Sequence, residues 1–219
     1  MITFEEIKND PQIKTFIKKA DEALGALGYT EHSFAHVGMV ADRAKYILMT
    51  LGYPKREIEL AQMAGYMHDI GNVINRVDHA QSGAVMAFRI LDKLGMESDE
   101  IATIISAIGN HDEGTAVPVN EVAAALILAD KSDVRYTRVR NRDLANFDIH
   151  DRVNYAVKES TLTINEERTR VTLGLTIDTE FSSVMDYFEI FLGRMLLCKK
   201  AAFCLNMKFN LVINNQKIL

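Results

Sequence analysis

Apolar positions recur at three- and four-residue intervals from residue 3 to about 160, then switch to alternation, so the pattern predicts a helical body followed by a mixed tail. Thr3 and Glu6 have capping-box spacing, and "NDPQ" supplies an N-cap with Pro11 at the first helical position of a helix ending near 25–28. Ser33 can cap a helix to about Leu51, where "GYP" stops it, and Pro54 starts another that runs to the step His68-Asp69-Ile70-Gly71. A fourth stretch begins at Asp78 or His79 and closes at Gly95. Ser98 can cap "DEIATIISAIGNH", and Asn120 can cap "EVAAALILADKSDV", which is apolar nearly all round and therefore central. A last helix is predicted over roughly 150–159.

In the tail, Leu162 and Ile164, then Val171, Leu173, Leu175 and Ile177, alternate with polar residues, which predicts a hairpin with one buried face and its turn at "NEER". A long helix over about 182–206 follows, with Asp186, Glu189, Gly193 and Lys200 on one narrow stripe, and "KFNLVIN" alternates again. The expected fold is mainly α: an all-helical domain over residues 1–159 and a small α+β appendage over 160–219 made of a β-hairpin, a long helix and a third strand. Three strands cannot cover that helix, so it should pack on the helical body or on another subunit, a homodimer being one outcome.

At 219 residues, 48% hydrophobic and 25% charged, the chain has the composition of a globular protein with a real core. A net charge of -5 gives no global attraction to nucleic acid or to an anionic membrane, so a small molecule is the expected partner. Cys198 and Cys204 are six apart in one predicted helix, about 9 Å of rise, too far for an undistorted disulfide. Free cysteines, an N-terminus unlike a signal peptide and the lack of a long apolar run lead to the expectation of a cytoplasmic protein that does not cross a membrane.

Chemistry enters at the helix breaks. His36, His68, Asp69, His111 and Asp130 sit at the ends or inner faces of apolar helices, and His79 opens one. Imidazole and carboxylate groups are costly to bury without partners, and a metal partners several at once. Four histidines and two carboxylates suit one or two divalent transition ions, iron, manganese or zinc, better than magnesium or calcium. If Asp69 bridges two ions, His36, His68 and Asp130 complete one, and His79 and His111 the other. Such a pair would deprotonate a bound water and clamp phosphate oxygens, which makes phosphoester hydrolysis the expected chemistry, with His68 and Asp69 at its centre.

Simpler readings exist for each residue taken alone. An isolated histidine on a helix is more often a satisfied core or surface group than a ligand, and "HDIG" can be a helix end with His68 at the dipole and Gly71 as a left-handed cap. His32, four residues before His36, is either exposed or a support for the ligands; Asp112 either orients a ligand imidazole or serves as acid or base. If the helix bearing Asp130 continues, Lys131, Arg135, Arg138 and Arg142 share one face and can grip phosphate; otherwise they form a solvated basic face.

The order His36, His68-Asp69 within "HDIG", then Asp130, resembles the HD superfamily of metal-dependent phosphohydrolases, an all-helical fold. The resemblance covers about 33–133 and implies that His36, His68, Asp69 and Asp130 are the defining metal ligands. "HAQSG" from His79 and "NHDEG" around His111 are similar to the two extra histidine motifs of the subgroup with dinuclear centres. Asn72, where the cyclic-dinucleotide enzymes carry lysine after "HDIG", and "GYP" placed before the motif depart from those enzymes, and no KH-type segment points to nucleic acid. The implied activity is hydrolysis of a phosphoester or phosphoanhydride of a nucleotide or small phosphorylated metabolite. The alternative is a non-catalytic, regulatory HD module with a structural metal and a dimerising tail.

Overall fold

A computed structural model describes residues 1–141 and 143–219. Arg142, one of the candidate phosphate-binding cations, lies outside the described residues. The helical body comprises α1 (Phe4–Asn9), α2 (Pro11–Ala26), α3 (Phe34–Leu51), α4 (Lys55–Met67), α5 (His79–Leu94), α6 (Ser98–Gly109), α7 (Glu121–Lys131) and α8 (Ile149–Ala156), with a short 3-10 turn at Ile70–Val73. Local chemistry sets the starts. Thr3 and Glu6 form the capping box of α1, the Asp10 carboxylate accepts from the N–H groups of Gln12 and Ile13 ahead of α2, and Ser33 and Asn120 cap α3 and α7.

α7 is the axis of the core: Val122 to Ala129 are all buried, and it packs against α3, α4, α6 and the long helix of the tail, Val184–Cys204. α3 and α4 pack along much of their length. A Cβ added at Gly65 of α4 would lie 2.9 Å from the Cα of Ala41, so only glycine lets these backbones meet. That contact holds the start of α3, with His36, beside the end of α4, with His68.

Gly71 has a different role from the expected cap. Its φ is not positive; it lies inside the 3-10 turn, where an added Cβ would collide with the carbonyl oxygen of His79 and stand 2.5 Å from the amide nitrogen of Gly83. Glycine is needed there so that the turn after Asp69 can press onto the start of α5, which brings His79 to the site. Two boundaries also differ from expectation. Glu97, not Ser98, is the N-cap of α6, and α8 ends at Ala156 because the chain turns extended at Val157.

The tail forms a four-stranded sheet, β1 (Val157–Ile164), β2 (Arg170–Ile177), β3 (Lys208–Ile213) and β4 (Gln216–Lys217), in that order, with α9 (Val184–Cys204) crossing between β2 and β3. β1 and β2 are antiparallel, β2 and β3 parallel, and β4, which was not expected, folds back on β3. Val171, Leu173, Leu175 and Ile177 are buried as the alternation requires, joined by Phe209, Leu211 and Ile213. The sheet is fastened to the body near Asp130: Arg43 of α3 donates to Ser132 Oγ and to the Ser160 carbonyl, both at 2.9 Å. No helix among the described residues is long and apolar enough to cross a membrane.

Candidate metal centre

His36 near the start of α3, His68 and Asp69 after α4, His79 at the start of α5, His111 after α6 and Asp130 at the end of α7 converge on one point although five helices supply them. Each of the four imidazoles has its Nδ1 against an acceptor: Asp133 Oδ2 at 2.7 Å for His36, and the carbonyls of Gly65, Arg76 and Ile108 at 2.8, 3.0 and 2.6 Å for His68, His79 and His111. That contact fixes the proton on Nδ1 and turns the Nε2 lone pair inward.

The two oxygens of Asp69 divide the site. Oδ2 lies 3.5 Å from His36 Nε2 and 3.1 Å from His68 Nε2, and Asp130 Oδ1 lies 3.4 and 3.6 Å from the same two atoms. Oδ1 faces the other way, 3.5 Å from His79 Nε2 and 3.9 Å from His111 Nε2. His36 Nε2 and His68 Nε2 are buried and have no hydrogen-bond partner among the described residues. His79 Nε2 and His111 Nε2 stand 3.2 Å apart, two lone pairs facing each other, with Arg76 Nη1 3.3 Å from the former. Orphaned buried acceptors opposed to carboxylates call for a cation among them. The residues fit a divalent metal: His36, His68 and Asp130 on one side, and His68, Asp69 and His111 on the other, form groups whose ligand atoms lie within 4.8 Å of one another.

Electrostatics agree with that donor set. Burial opposes charge on His68, but Asp69 and Asp130 outweigh it and push its pKa up to about 10. Burial would raise Asp69 and Asp130 as well, yet His68 and His36 beside the first, and Lys131 with both histidines beside the second, hold them well below the ordinary carboxylate range. Burial drives His111 and His32 well below the ordinary imidazole value. Asp69 and Asp130 thus favour positive charge between them.

A cavity of about 400 Å³ opens over Asp69, His79, His111 and Asp130, and its wall includes Tyr29, His32, Arg76, Lys131, Arg138 and Arg194, with Asp148, His150 and Asp151 of the α8 segment also lining it. His32 is therefore beside the cluster, its ring 5.3 Å from that of His36 and its Nδ1 2.7 Å from the Thr30 carbonyl. Asp112 Oδ1 lies 4.0 Å from His79 Nε2, on the inward side of the ring, so the orienting of His79 and His111 is left to backbone carbonyls.

The basic residues do not share a face, because α7 stops at Lys131 and the chain turns away through Ser132. Lys131 Nζ bonds Asp130 Oδ2 at 2.8 Å and Glu113 Oε2 at 2.7 Å, fixing the outer oxygen of the Asp130 carboxylate. Arg138 is buried and donates to the Glu31 and Asp133 carbonyls at 2.8 and 2.7 Å, while Arg135 pairs with Asp133 away from the cavity. Glu113 joins Lys131 to Arg194, whose Nε lies 2.9 Å from Glu113 Oε1.

Three contributors carry no reading from the sequence: Arg76, which lines the cavity with its Nη1 3.3 Å from His79 Nε2, Asp133 and Arg194. Asp133, three residues beyond Asp130, is fully buried behind His36. Arg194 reaches the cavity from α9, and its signal was a lone arginine on the stripe of Tyr187, Phe191 and Cys198, all buried.

The family profile of the HD domain matches residues 33–170. The uncharacterized protein MJ1020 of Methanocaldococcus jannaschii is 26% identical over 159 residues, which are 63% of this chain and 61% of that one, so the match spans about three-fifths of that relative. A crystal structure from an uncultured Thermotogales bacterium, described as a predicted HD superfamily hydrolase, is 24% identical and aligns over 57% of this chain and 67% of that one with a TM-score of 0.44.

Proposed function

Since the chain belongs to the HD domain family, we propose that it is a metal-dependent phosphohydrolase, cleaving a phosphoester or phosphoanhydride of a nucleotide or another small phosphorylated metabolite. The observation that carries this reading is the convergence of four inward Nε2 atoms on the carboxylates of Asp69 and Asp130. His36, His68, Asp69 and Asp130 would hold one ion, and Asp69, His79 and His111 a second, with iron, manganese or zinc as the matching metals. A divalent ion bound there supplies a Lewis acid for a phosphoryl oxygen and lowers the pKa of a water.

The chain's own residues do the rest. Asp69 presents one oxygen to each half of the site, and Asp133 keeps the His36 proton on Nδ1 so that Nε2 can act as donor. Lys131 holds Asp130 in place while lining the cavity, and with Arg76, Arg138 and Arg194 it makes the wall attractive to phosphate oxygens. A metal that served structure alone would be closed off by its ligands; here Asp69, His79, His111 and Asp130 are reached from a cavity of about 400 Å³, within the range of small-molecule sites. That opening supports the enzyme over the regulatory module.

The test is phosphate release or diester cleavage from a panel of mononucleotides, dinucleoside polyphosphates and cyclic dinucleotides, with protein reconstituted anaerobically in iron or manganese. Turnover that disappears on chelation and returns with metal is expected. Silence across the panel from fully loaded protein would move the weight to a regulatory module.

A further inference from the structure

α9 has two working faces. One carries Tyr187, Phe191, Met195 and Cys198 into the core. The opposite face is open and apolar: Met185 is 73% exposed, Leu192 50%, Leu196 51% and Phe203 82%. These four follow at intervals of seven, four and seven residues, so on an α-helix they fall within an arc of roughly 40° over about 27 Å of length. A narrow seam of that spacing is what one helix presents to another, and it is more apolar surface than a solvated helix face ordinarily carries.

The seam is complementary to itself in reverse. Its midpoint falls at position 194, halfway between Leu192 and Leu196, and Met185 and Phe203 lie nine residues to either side. A two-fold axis at that point sets Leu192 against Leu196 of the other copy twice, and Met185 against Phe203 twice. Glu189 and Lys200 stand on one flank of the seam, and the same axis brings Glu189 of each copy to the level of Lys200 of the other. Parallel pairing would instead carry these residues to opposite flanks of the seam and leave Glu189 without Lys200 as a neighbour.

Two further features fit an approaching helix. A Cβ added at Gly193, beside the central leucines, would meet nothing within 4 Å, so the smallest residue stands in the middle of an exposed helix where no contact within this chain calls for it. Beside Phe203 lies a groove of about 680 Å³ whose apolar wall of Pro118, Cys204, Met207 and Phe209 is edged by three lysines, and the two-fold would bring Met185 of the other copy next to it. We propose that this face of α9 is the two-fold interface of a homodimer, α9 pairing antiparallel with α9 of a second copy. The interface is isologous, as closed two-fold assembly requires. Because the opposite face supplies Phe191 and Arg194 to the cavity wall, the paired helices would also back the two sites.

Sedimentation velocity on the full chain at micromolar concentration tests this. The wild type should sediment as a dimer and the double variant Leu192→Glu, Leu196→Glu as a monomer with unchanged circular dichroism, since both side chains point away from the core. Glu189→Lys should weaken the dimer, and adding Lys200→Glu should restore it. A monomeric wild type, a dimer that survives both glutamates, or a charge swap that fails to restore association would overturn the proposal.

Discussion

At the residue scale the centre is a matter of which atom of each side chain is free. Nδ1 is taken on all four histidines, by a carboxylate on His36 and by carbonyls on the other three, and this turns ordinary imidazoles into aimed donors. Asp133→Asn keeps an acceptor behind His36 but removes its charge, and metal affinity should fall roughly tenfold, the lower end of what such supporting residues contribute; titration of the metal-free variant against a competing chelator reads this. Arg194→Ala removes a guanidinium from the cavity wall and leaves Glu113 to Lys131 alone, so kcat/KM for a phosphorylated substrate should drop by roughly tenfold or more with metal content unchanged. The six converging residues stood out in the sequence because each is an expensive group on an apolar helix. Asp133 and Arg194 did not, because an acid near a helix end and a cation on a long helix are ordinary until their neighbours are known.

At the element scale, what positions the donors is the close approach of backbones. The caps made most helix starts readable from the chain, and the all-apolar α7 was readable as the core axis. Gly71 was read as a cap because glycine after a helical run usually is one; its need arises from α5, a contact across the fold that periodicity does not encode. Gly71→Ala should therefore destabilise by roughly 3 kcal/mol or more, since the colliding atoms are backbone and cannot swing aside; thermal unfolding against the wild type measures it. The expected common face of Lys131, Arg135 and Arg138 failed for a related reason: α7 ends where Ser132 Oγ bonds back to the Ala129 carbonyl.

α4 and α6 are clamped by Arg56, whose Nε lies 2.6 Å from Glu100 Oε1. The hydrogen bond from Arg56 lowers the Glu100 pKa despite partial burial. A carboxylate with a lowered folded-state pKa adds stability above its unfolded value and loses it as pH falls through the folded one. Acid unfolding of Glu100→Gln should accordingly show a shallower loss of stability below the ordinary glutamate range than the wild type, a difference that denaturant titrations at several acid pH values would expose.

At the scale of the whole molecule, a helical body gathers the six candidate ligands from five helices, and the α+β tail closes one wall of the cavity through α9. The switch from helical to alternating periodicity near residue 160 was legible, with β1 beginning three residues earlier, at Val157. The parallel joining of β3 to β2 and the short β4 were not, because alternation says which face of a strand is buried and nothing of its neighbour. The central claim is that the cluster around Asp69 is a metal centre, and elemental analysis of anaerobically purified wild type beside Asp69→Ala tests it most directly. The account predicts about two ions per chain in the wild type, and in the variant, folded by circular dichroism, loss of both metal and turnover. A single ion after reconstitution would contradict the two-ion arrangement, and a wild type that binds none would contradict the metal centre itself.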